Sequence, residues 1–343
     1  MRFAVGLVIL GVAAGIGWWF FELRHRPENL GVSSVAAPAK PPENTIVDPL
    51  APGRTVRLDT SPRGAGSADW VKARPAFQYS RTATERDGVS PCAIPSDDGG
   101  AFEAWSNLSK GRLAVPRTGA LDATGGFDLV LHFHGDELAR RELAESGQSL
   151  VLYSLTLGAD ESYPSLFAGT KLFGQLVQQI EQRLGAKLGR AAHARHVALT
   201  AWSAGYMAVL SILVQPETKD IDAVALIDGL HGPRGALEQQ LAPFVDYARR
   251  AVSGDGFLLL THSSIDPPDF ASTTESAHHV LAALGERPQP VRRADRFGLE
   301  LVEYFTRGEF HVRGYAGNDK ADHCAQVTLL RDAYSAIARR WKR

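Results

Sequence analysis

The sequence predicts an α/β protein in which helices cover both faces of a mostly parallel sheet, a three-layer α/β/α sandwich. Two observations predict this fold class. From about residue 100 onward, apolar runs such as 127–133 and 257–261 alternate with helical segments such as 237–252. Several of these runs are apolar throughout rather than at every second residue, which is typical of strands buried on both faces.

The individual elements follow from local patterns. Gly125 and Gly126 precede the first long strand. Five Leu or Ile side chains at helical spacing predict the helix at 166–184. Arg307-Gly308 marks a turn between the last two strands. We expect strands at 127–133, 149–157, 197–200, 221–227, 257–261, 299–305 and 309–315, and helices at 166–184, after 203, and at 237–252, 274–284 and 321–341.

The N-terminal part of the chain differs in composition from the rest. An uncharged apolar run from Phe3 to Phe21 is long enough to span a bilayer as a helix, so residues 1–26 are expected to be a transmembrane anchor or, alternatively, a cleaved signal. Residues 27–70 are rich in Pro, Ala, Gly and Ser and predict a disordered linker. Residues 71–343 then form the folded domain, which we expect to be held outside the cytoplasm.

Composition narrows the function classes. The net charge is −1 with no polybasic run, which argues against nucleic-acid binding. Two cysteines, Cys92 and Cys324, exclude a disulfide-rich scaffold and a cysteine zinc cluster. A single disulfide between them and a pair of unlinked thiols both remain open.

The strongest motif lies between an apolar strand and a helix. The segment reads Ala201-Trp202-Ser203-Ala204-Gly205, which is the G-x-S-x-G nucleophile elbow with alanine at its first position. Small residues two positions before and after the serine, Ala201 and Gly205, allow the sharp turn that raises its hydroxyl above the sheet. The N–H of Ala204, at the helix start, is then a candidate oxyanion donor.

The elbow, two further strand–helix units and a late histidine together resemble the α/β-hydrolase family over about residues 100–343. The resemblance implies the order Ser, Asp or Glu, His, which Ser203 opens and His323 closes. Two carboxylates fit the middle role, because Asp228 ends one apolar strand and Asp266 follows the next in Ser264-Ile265-Asp266-Pro267. Asp228 is favoured because a strand-end carboxylate faces the site without an irregular loop.

A second segment, Leu131-His132-Phe133-His134-Gly135-Asp136, ends an early strand. It resembles the family's His-Gly loop, which implies an oxyanion donor at the N–H of Gly135 or Asp136. The same residues allow a second interpretation, a metal site. His132, His134 and Asp136 have the spacing of a metallohydrolase ligand set, although Glu137 stands where such a set would place a further histidine.

The sequence therefore predicts a membrane-anchored serine hydrolase that cleaves an ester or amide through an acyl-enzyme and needs no cofactor. The short span between Asp228 and Phe257 holds one helix and no lid domain, which predicts an open site for small or polymer-linked acyl substrates. The alternatives are a metal-dependent hydrolase using His132, His134 and Asp136, and a hydrolase-like envelope protein that binds without turnover.

Overall fold

The computed structural model describes residues 45–47, 55–57, 93, 99–157, 163–167 and 171–343. The apolar run 3–21, most of the predicted linker and Cys92 lie outside the described residues. Cys324 is disulfide-bonded, and Cys92 is the one other cysteine of the sequence. None of the helices that the structure describes is both long and apolar enough to cross a bilayer.

The described strands and helices alternate along most of the chain. The strands are β1 (Thr45–Val47), β2 (Thr55–Arg57), β3 (Ser106–Asn107), β4 (Arg112–Ala114), β5 (Gly126–Phe133), β6 (Val151–Leu155), β7 (His193–Trp202), β8 (Ala223–Ile227), β9 (Phe257–His262), β10 (Gln289–Ala294), β11 (Glu300–Arg307) and β12 (Phe310–Tyr315). The helices are α1 (Asp136–Ser146), α2 (Tyr163–Leu166), α3 (Leu172–Leu188), α4 (Tyr206–Leu213), α5 (Leu237–Ser253), α6 (Thr273–Ala283), α7 (Lys320–Ala325) and α8 (Leu330–Trp341).

Within the described residues, ten strands form one mixed sheet in the order β10-β11-β12-β9-β8-β7-β5-β6-β4-β3. The central strands β12, β9, β8, β7, β5 and β6 are parallel, and antiparallel strands extend the sheet at both edges. The carboxyl ends of β5, β7, β8 and β9 therefore lie side by side. In parallel sheets this is the edge where functional loops meet.

The two faces of the sheet carry separate apolar cores. On β5, Leu129 and Leu131 pack toward α3, α4, α5 and α6, whereas Val130 between them belongs to the core that holds α1 and α8. This alternation follows from the strand period of two, and both faces are apolar because both are covered. The predicted α/β class with helices on both faces agrees with the described residues.

The structure also differs from several sequence-based expectations. The final helix is interrupted by a tighter turn at Gln326–Leu329, which separates α7 from α8. Helix α1 and strand β10 are absent from the prediction because their apolar residues are sparse. The short antiparallel pair β1 and β2 lies inside the segment predicted to be a linker.

Candidate active site

Ser203 lies at the carboxyl end of β7, at the start of a single tight turn that leads into α4. Its φ of 51° is in the left-handed region, which a non-glycine residue adopts only when its surroundings enforce it. A Cβ at Gly205 would collide with the Phe133 carbonyl oxygen, and one at Gly229 would lie 2.5 Å from the Ser203 carbonyl oxygen. Only glycine therefore fits beside the serine on these two sides.

Asp228 and His323 meet although they are far apart in the sequence. Asp228 follows β8, and its Oδ2 lies 2.7 Å from the Nδ1 of His323. Both side chains are buried, at 1% and 8% exposure. His323 is carried by α7, whose start is fixed by a reciprocal capping box between Asp319 and Asp322.

The second oxygen of Asp228 is also fixed. Its Oδ1 accepts hydrogen bonds from the Ser263 N–H and the Thr273 hydroxyl, each at 2.8 Å. Burial alone raises the pKa of a carboxyl, but the hydrogen bond and charge of His323 and the bonds from Thr273 and Ser263 outweigh burial, so the pKa of Asp228 is lowered. Asp228 is therefore ionised and held in one orientation.

Trp202 positions the imidazole from the side of the elbow. Its ring stacks on His323 at 5.0 Å between centroids, and its Nε1 donates to the His323 carbonyl oxygen at 3.3 Å. Ser203, the next residue, is 1% exposed, and its Oγ makes no hydrogen bond to any described residue. With Nδ1 engaged by Asp228, Nε2 is the ring atom that can exchange a proton with a hydroxyl.

Asp266, the second candidate acid, lies elsewhere. Its side chain is 62% exposed, and its Oδ1 is 3.8 Å from Arg234 on the surface. The carboxylate in contact with His323 is therefore Asp228. The expectation of an open site is not met at the serine, because Ser203 is almost completely buried.

The predicted oxyanion segment follows β5 next to the elbow. His134 and Gly135 both have positive φ, and a Cβ at Gly135 would lie 2.9 Å from the Trp202 ring. The N–H groups of Gly135 and Asp136 point in one direction, and both donate to the Thr156 hydroxyl, at 3.0 and 3.2 Å. Two adjacent donors on one oxygen are what an oxyanion requires, and Thr156 now accepts both bonds.

The structure does not bring His132, His134 and Asp136 together as a metal site. His132 Nδ1 lies 2.9 Å from the Thr200 hydroxyl, and its Nε2 lies 2.8 Å from the His134 carbonyl oxygen, so both ring nitrogens are used. Burial lowers the pKa of His132 to about 4. The Asp136 carboxylate pairs with Arg112. In the part of the chain that the structure describes, the three side chains that could jointly hold an ion are instead His262, His278 and Glu303.

Sequence reasoning missed Thr273 and His231. Thr273 begins α6 next to the capping box of Ser272 and Glu275, and that S-x-x-E pattern could have placed it at the carboxyl end of β9. His231 is buried between the rings of Tyr206 and Phe270, and burial lowers its pKa to about 3, with a further contribution from His323. It is therefore a neutral side chain in the loop that follows Asp228.

Comparisons with known proteins add little to this geometry. No protein-family model matches the chain, and no curated protein matches it. An uncharacterised protein from Capnocytophaga ochracea DSM 7271 is similar in backbone with a TM-score of 0.40 and 9% identity, over 67% of this chain and 64% of that chain. Est1E from Butyrivibrio proteoclasticus has a TM-score of 0.38 and 9% identity, over 71% of this chain and 100% of that chain. The side chains of the site are therefore the basis for assigning a function.

Proposed function

We propose that this protein is a serine hydrolase of the α/β-hydrolase type, with Ser203 as nucleophile, His323 as general base and Asp228 as the acid that orients the histidine. One observation carries the proposal: the Nδ1 of His323 lies 2.7 Å from the Oδ2 of Asp228 in a buried pair. The strained backbone of Ser203 at the end of β7 supports the assignment of the nucleophile.

In this mechanism His323 Nε2 takes the proton of Ser203 as Oγ attacks an ester or amide carbonyl. The imidazolium that forms is stabilised by Asp228, which is ionised because its pKa is lowered. His323 then gives the proton to the leaving group, and water hydrolyses the acyl-enzyme by the same steps in reverse. The proton passes from Ser203 through His323 to the leaving group, water supplies the proton of the second step, and the mechanism requires no cofactor.

The oxyanion would be held by the Ala204 N–H together with that of Gly135 or Asp136. In the structure the latter two donate to Thr156, whose side chain is exposed. A substrate oxygen would therefore replace the Thr156 hydroxyl as the acceptor. This replacement costs little, because the displaced hydroxyl can turn to water.

The proposal extends to substrate class and location. We propose an acyl substrate, either small or linked to a polymer, and a protein anchored in the membrane by the apolar run 3–21 with its body outside the cytoplasm. The support for the anchor is the sequence pattern alone. Separation of washed membranes from the soluble fraction tests it, because a spanning helix resists extraction by high salt.

A fluorophosphonate probe tests the serine mechanism directly, since it reacts covalently with activated serines. We expect the intact protein to be labelled and Ser203→Ala to be unlabelled, with hydrolysis of an acyl ester reduced by about 10³- to 10⁶-fold. Ser211→Ala is the matched control. Ser211 is also buried, but its hydroxyl donates to the Met207 carbonyl oxygen and should not be activated.

Each alternative has its own outcome in this experiment. A folded wild-type protein that is neither labelled nor active would support the binding protein without turnover. Activity that survives Ser203→Ala but is lost on chelation would support a metal-dependent hydrolase. Equal labelling of Ser203→Ala and wild type would remove Ser203 from the mechanism.

A further inference from the structure

Two histidines and a glutamate from three different elements converge away from the proposed triad. His262 ends β9, His278 lies in α6 and Glu303 lies in β11. The Nε2 of His262 and the Nε2 of His278 lie 2.7 and 2.6 Å from the same oxygen, Oε1 of Glu303. The two rings are edge to face, with 5.7 Å between their centroids.

The register of three neighbouring strands brings these side chains together. Glu303 is in register with Gly314 of β12, and Gly314 is in register with His262 of β9. The two side chains therefore approach each other across the strand between them. A Cβ at Gly314 would lie 2.6 Å from His262 Nε2 and would collide with the Glu303 side chain. Only glycine leaves room for the cluster.

Thr274 fixes which ring nitrogen of His262 carries a proton. The Thr274 hydroxyl donates its one proton to the Ser263 carbonyl oxygen at 2.7 Å, so its oxygen accepts from His262 Nδ1 at 3.0 Å. A neutral His262 therefore turns the lone pair of Nε2 toward the Glu303 carboxylate. This nitrogen is buried and, despite the short distance, its geometry does not form a hydrogen bond.

Two electron-rich atoms that face each other at this distance require a positive group between them. A second proton on His262 would supply it, and so would a metal ion. A ring whose Nδ1–H is held by an oxygen while Nε2 is presented to a ligand is the usual arrangement of a metal-binding histidine. Two imidazoles and one carboxylate are also a common ligand set for Zn²⁺.

We propose that His262, His278 and Glu303 bind one divalent transition-metal ion of the zinc class. In a tetrahedral site with bonds of about 2.0 Å, ligand atoms lie about 3.3 Å apart, so the cluster must open by about 0.6 Å to admit the ion. Zinc binds neutral imidazole, so on uptake the proton that His278 Nε2 now donates to Glu303 moves to Nδ1 of the same ring. The partial exposure of His278 and Glu303, 13% and 19%, provides an entry path and room for water as a fourth ligand.

The ion would act on the fold near the triad rather than on the substrate. It would join β9, α6 and β11. The residue that follows β9 and the first residue of α6 also donate hydrogen bonds to Asp228. The N–H of Ser263, next to His262, and the hydroxyl of Thr273, next to Thr274, both donate to Asp228 Oδ1. Metal binding is therefore expected to stabilise the fold and to keep these two donors in place.

Zinc titration of the metal-stripped full-length protein tests the proposal. We expect one Zn²⁺ per chain by calorimetry and a rise in Tm on binding. Co²⁺ in place of Zn²⁺ should give the visible absorption bands of a four-coordinate site. Ser203→Ala should bind zinc as well as wild type, so this result is independent of the proposed hydrolase activity.

The variants His278→Ala and Glu303→Gln should each lose the bound zinc and the rise in Tm, whereas His279→Ala should keep both. His279 is the matched control because it is the adjacent histidine of α6, half-buried and outside the cluster. Circular dichroism verifies that each variant is folded. No zinc uptake by wild type would overturn the proposal and leave an imidazolium–glutamate ion pair. Uptake that persists in both cluster variants would assign the zinc to other histidines.

Discussion

Two histidine–carboxylate pairs lie near one end of the parallel strands, one fully buried and one with a half-buried glutamate, and the atoms around each pair are arranged differently. In the pair His323–Asp228, one ring contacts one oxygen, and the other oxygen accepts from two fixed donors. In the pair His262–Glu303, a second ring, that of His278, contacts the same oxygen. Under the two proposals, the first arrangement orients a single histidine as a base, whereas the second gathers three side chains that would bind one ion. A histidine–carboxylate contact alone therefore does not indicate a function. The groups around the other carboxylate oxygen and the other ring nitrogen distinguish the two sites.

Asp228→Asn is the variant for which we expect the largest effect. The amide cannot hold His323 in the tautomer whose Nε2 is unprotonated and can take a proton, so we expect turnover to fall by about 10⁴-fold with the fold intact. Ester hydrolysis at saturating substrate measures the effect. Asp266→Asn is the control and should leave turnover unchanged, because Asp266 is exposed beside Arg234. The opposite ranking would transfer the acid role to Asp266.

His132 is a third buried histidine, and its partners are not carboxylates. Its ring nitrogens form hydrogen bonds with the Thr200 hydroxyl and the His134 carbonyl oxygen. Its pKa is about 4 in the fold and 6.5 in the unfolded chain, so below pH 6.5 the unfolded chain binds a proton that the fold does not. The free energy of unfolding should therefore fall by about 2 kcal/mol between pH 7 and pH 5 on account of His132. Denaturant unfolding at both pH values should give a correspondingly smaller fall for His132→Asn. An equal fall in both proteins would contradict the assignment.

A matched pair of glycines separates the two sites. Gly229→Ala brings a Cβ against the Ser203 backbone, and Gly314→Ala brings one against His262 and Glu303. Each should cost about 1–3 kcal/mol of unfolding free energy as overpacking. Gly229→Ala should slow fluorophosphonate labelling and leave zinc binding unchanged. Gly314→Ala should abolish zinc binding and slow labelling less than Gly229→Ala does, because the ion supports the donors to Asp228 only indirectly. Loss of both properties in both variants would indicate that the sites form one unit.

The consecutive threonines Thr273 and Thr274 give the smallest and sharpest test. Thr273→Val removes one donor to Asp228 and should raise the pKa of that carboxyl and reduce turnover by about 10-fold. Thr274→Val removes the hydroxyl that holds His262 and should weaken zinc binding instead. Turnover and zinc affinity measured on both variants would show whether each hydroxyl serves its own site.

The parts of the fold that the sequence predicted are those with strong local patterns. Strands β5, β8 and β9 are buried on both faces, so continuous apolar runs marked them within two residues. Strand β10 lies at the sheet edge, is mostly exposed or half-buried with one buried residue, Val291, and carries no such run. Helix α1 begins Asp-Glu-Leu-Ala-Arg-Arg, and so many charges conceal its short apolar stripe.

The site was partly predictable for the same reason. The turn at Ser203 leaves small residues at fixed spacing, and the order of elements pointed to His323. The strand-end position of Asp228 favoured it over Asp266, but the contact with His323, 95 positions away in the sequence, leaves no local signal. The cluster of His262, His278 and Glu303 was missed because its members come from three elements that meet only in the folded sheet.

The positive φ values of His134, Ser203 and Asp228 affect how substitutions at these positions change the stability of the fold. Each such residue costs on the order of 1 kcal/mol or more, while a whole domain is stable by only about 5–15 kcal/mol. Glycine at position 203 would relieve the strain and at the same time delete the hydroxyl. Under the proposed mechanism, a random substitution at such a residue can make the fold more stable while inactivating it, and only selection for turnover would keep the strained residues in place.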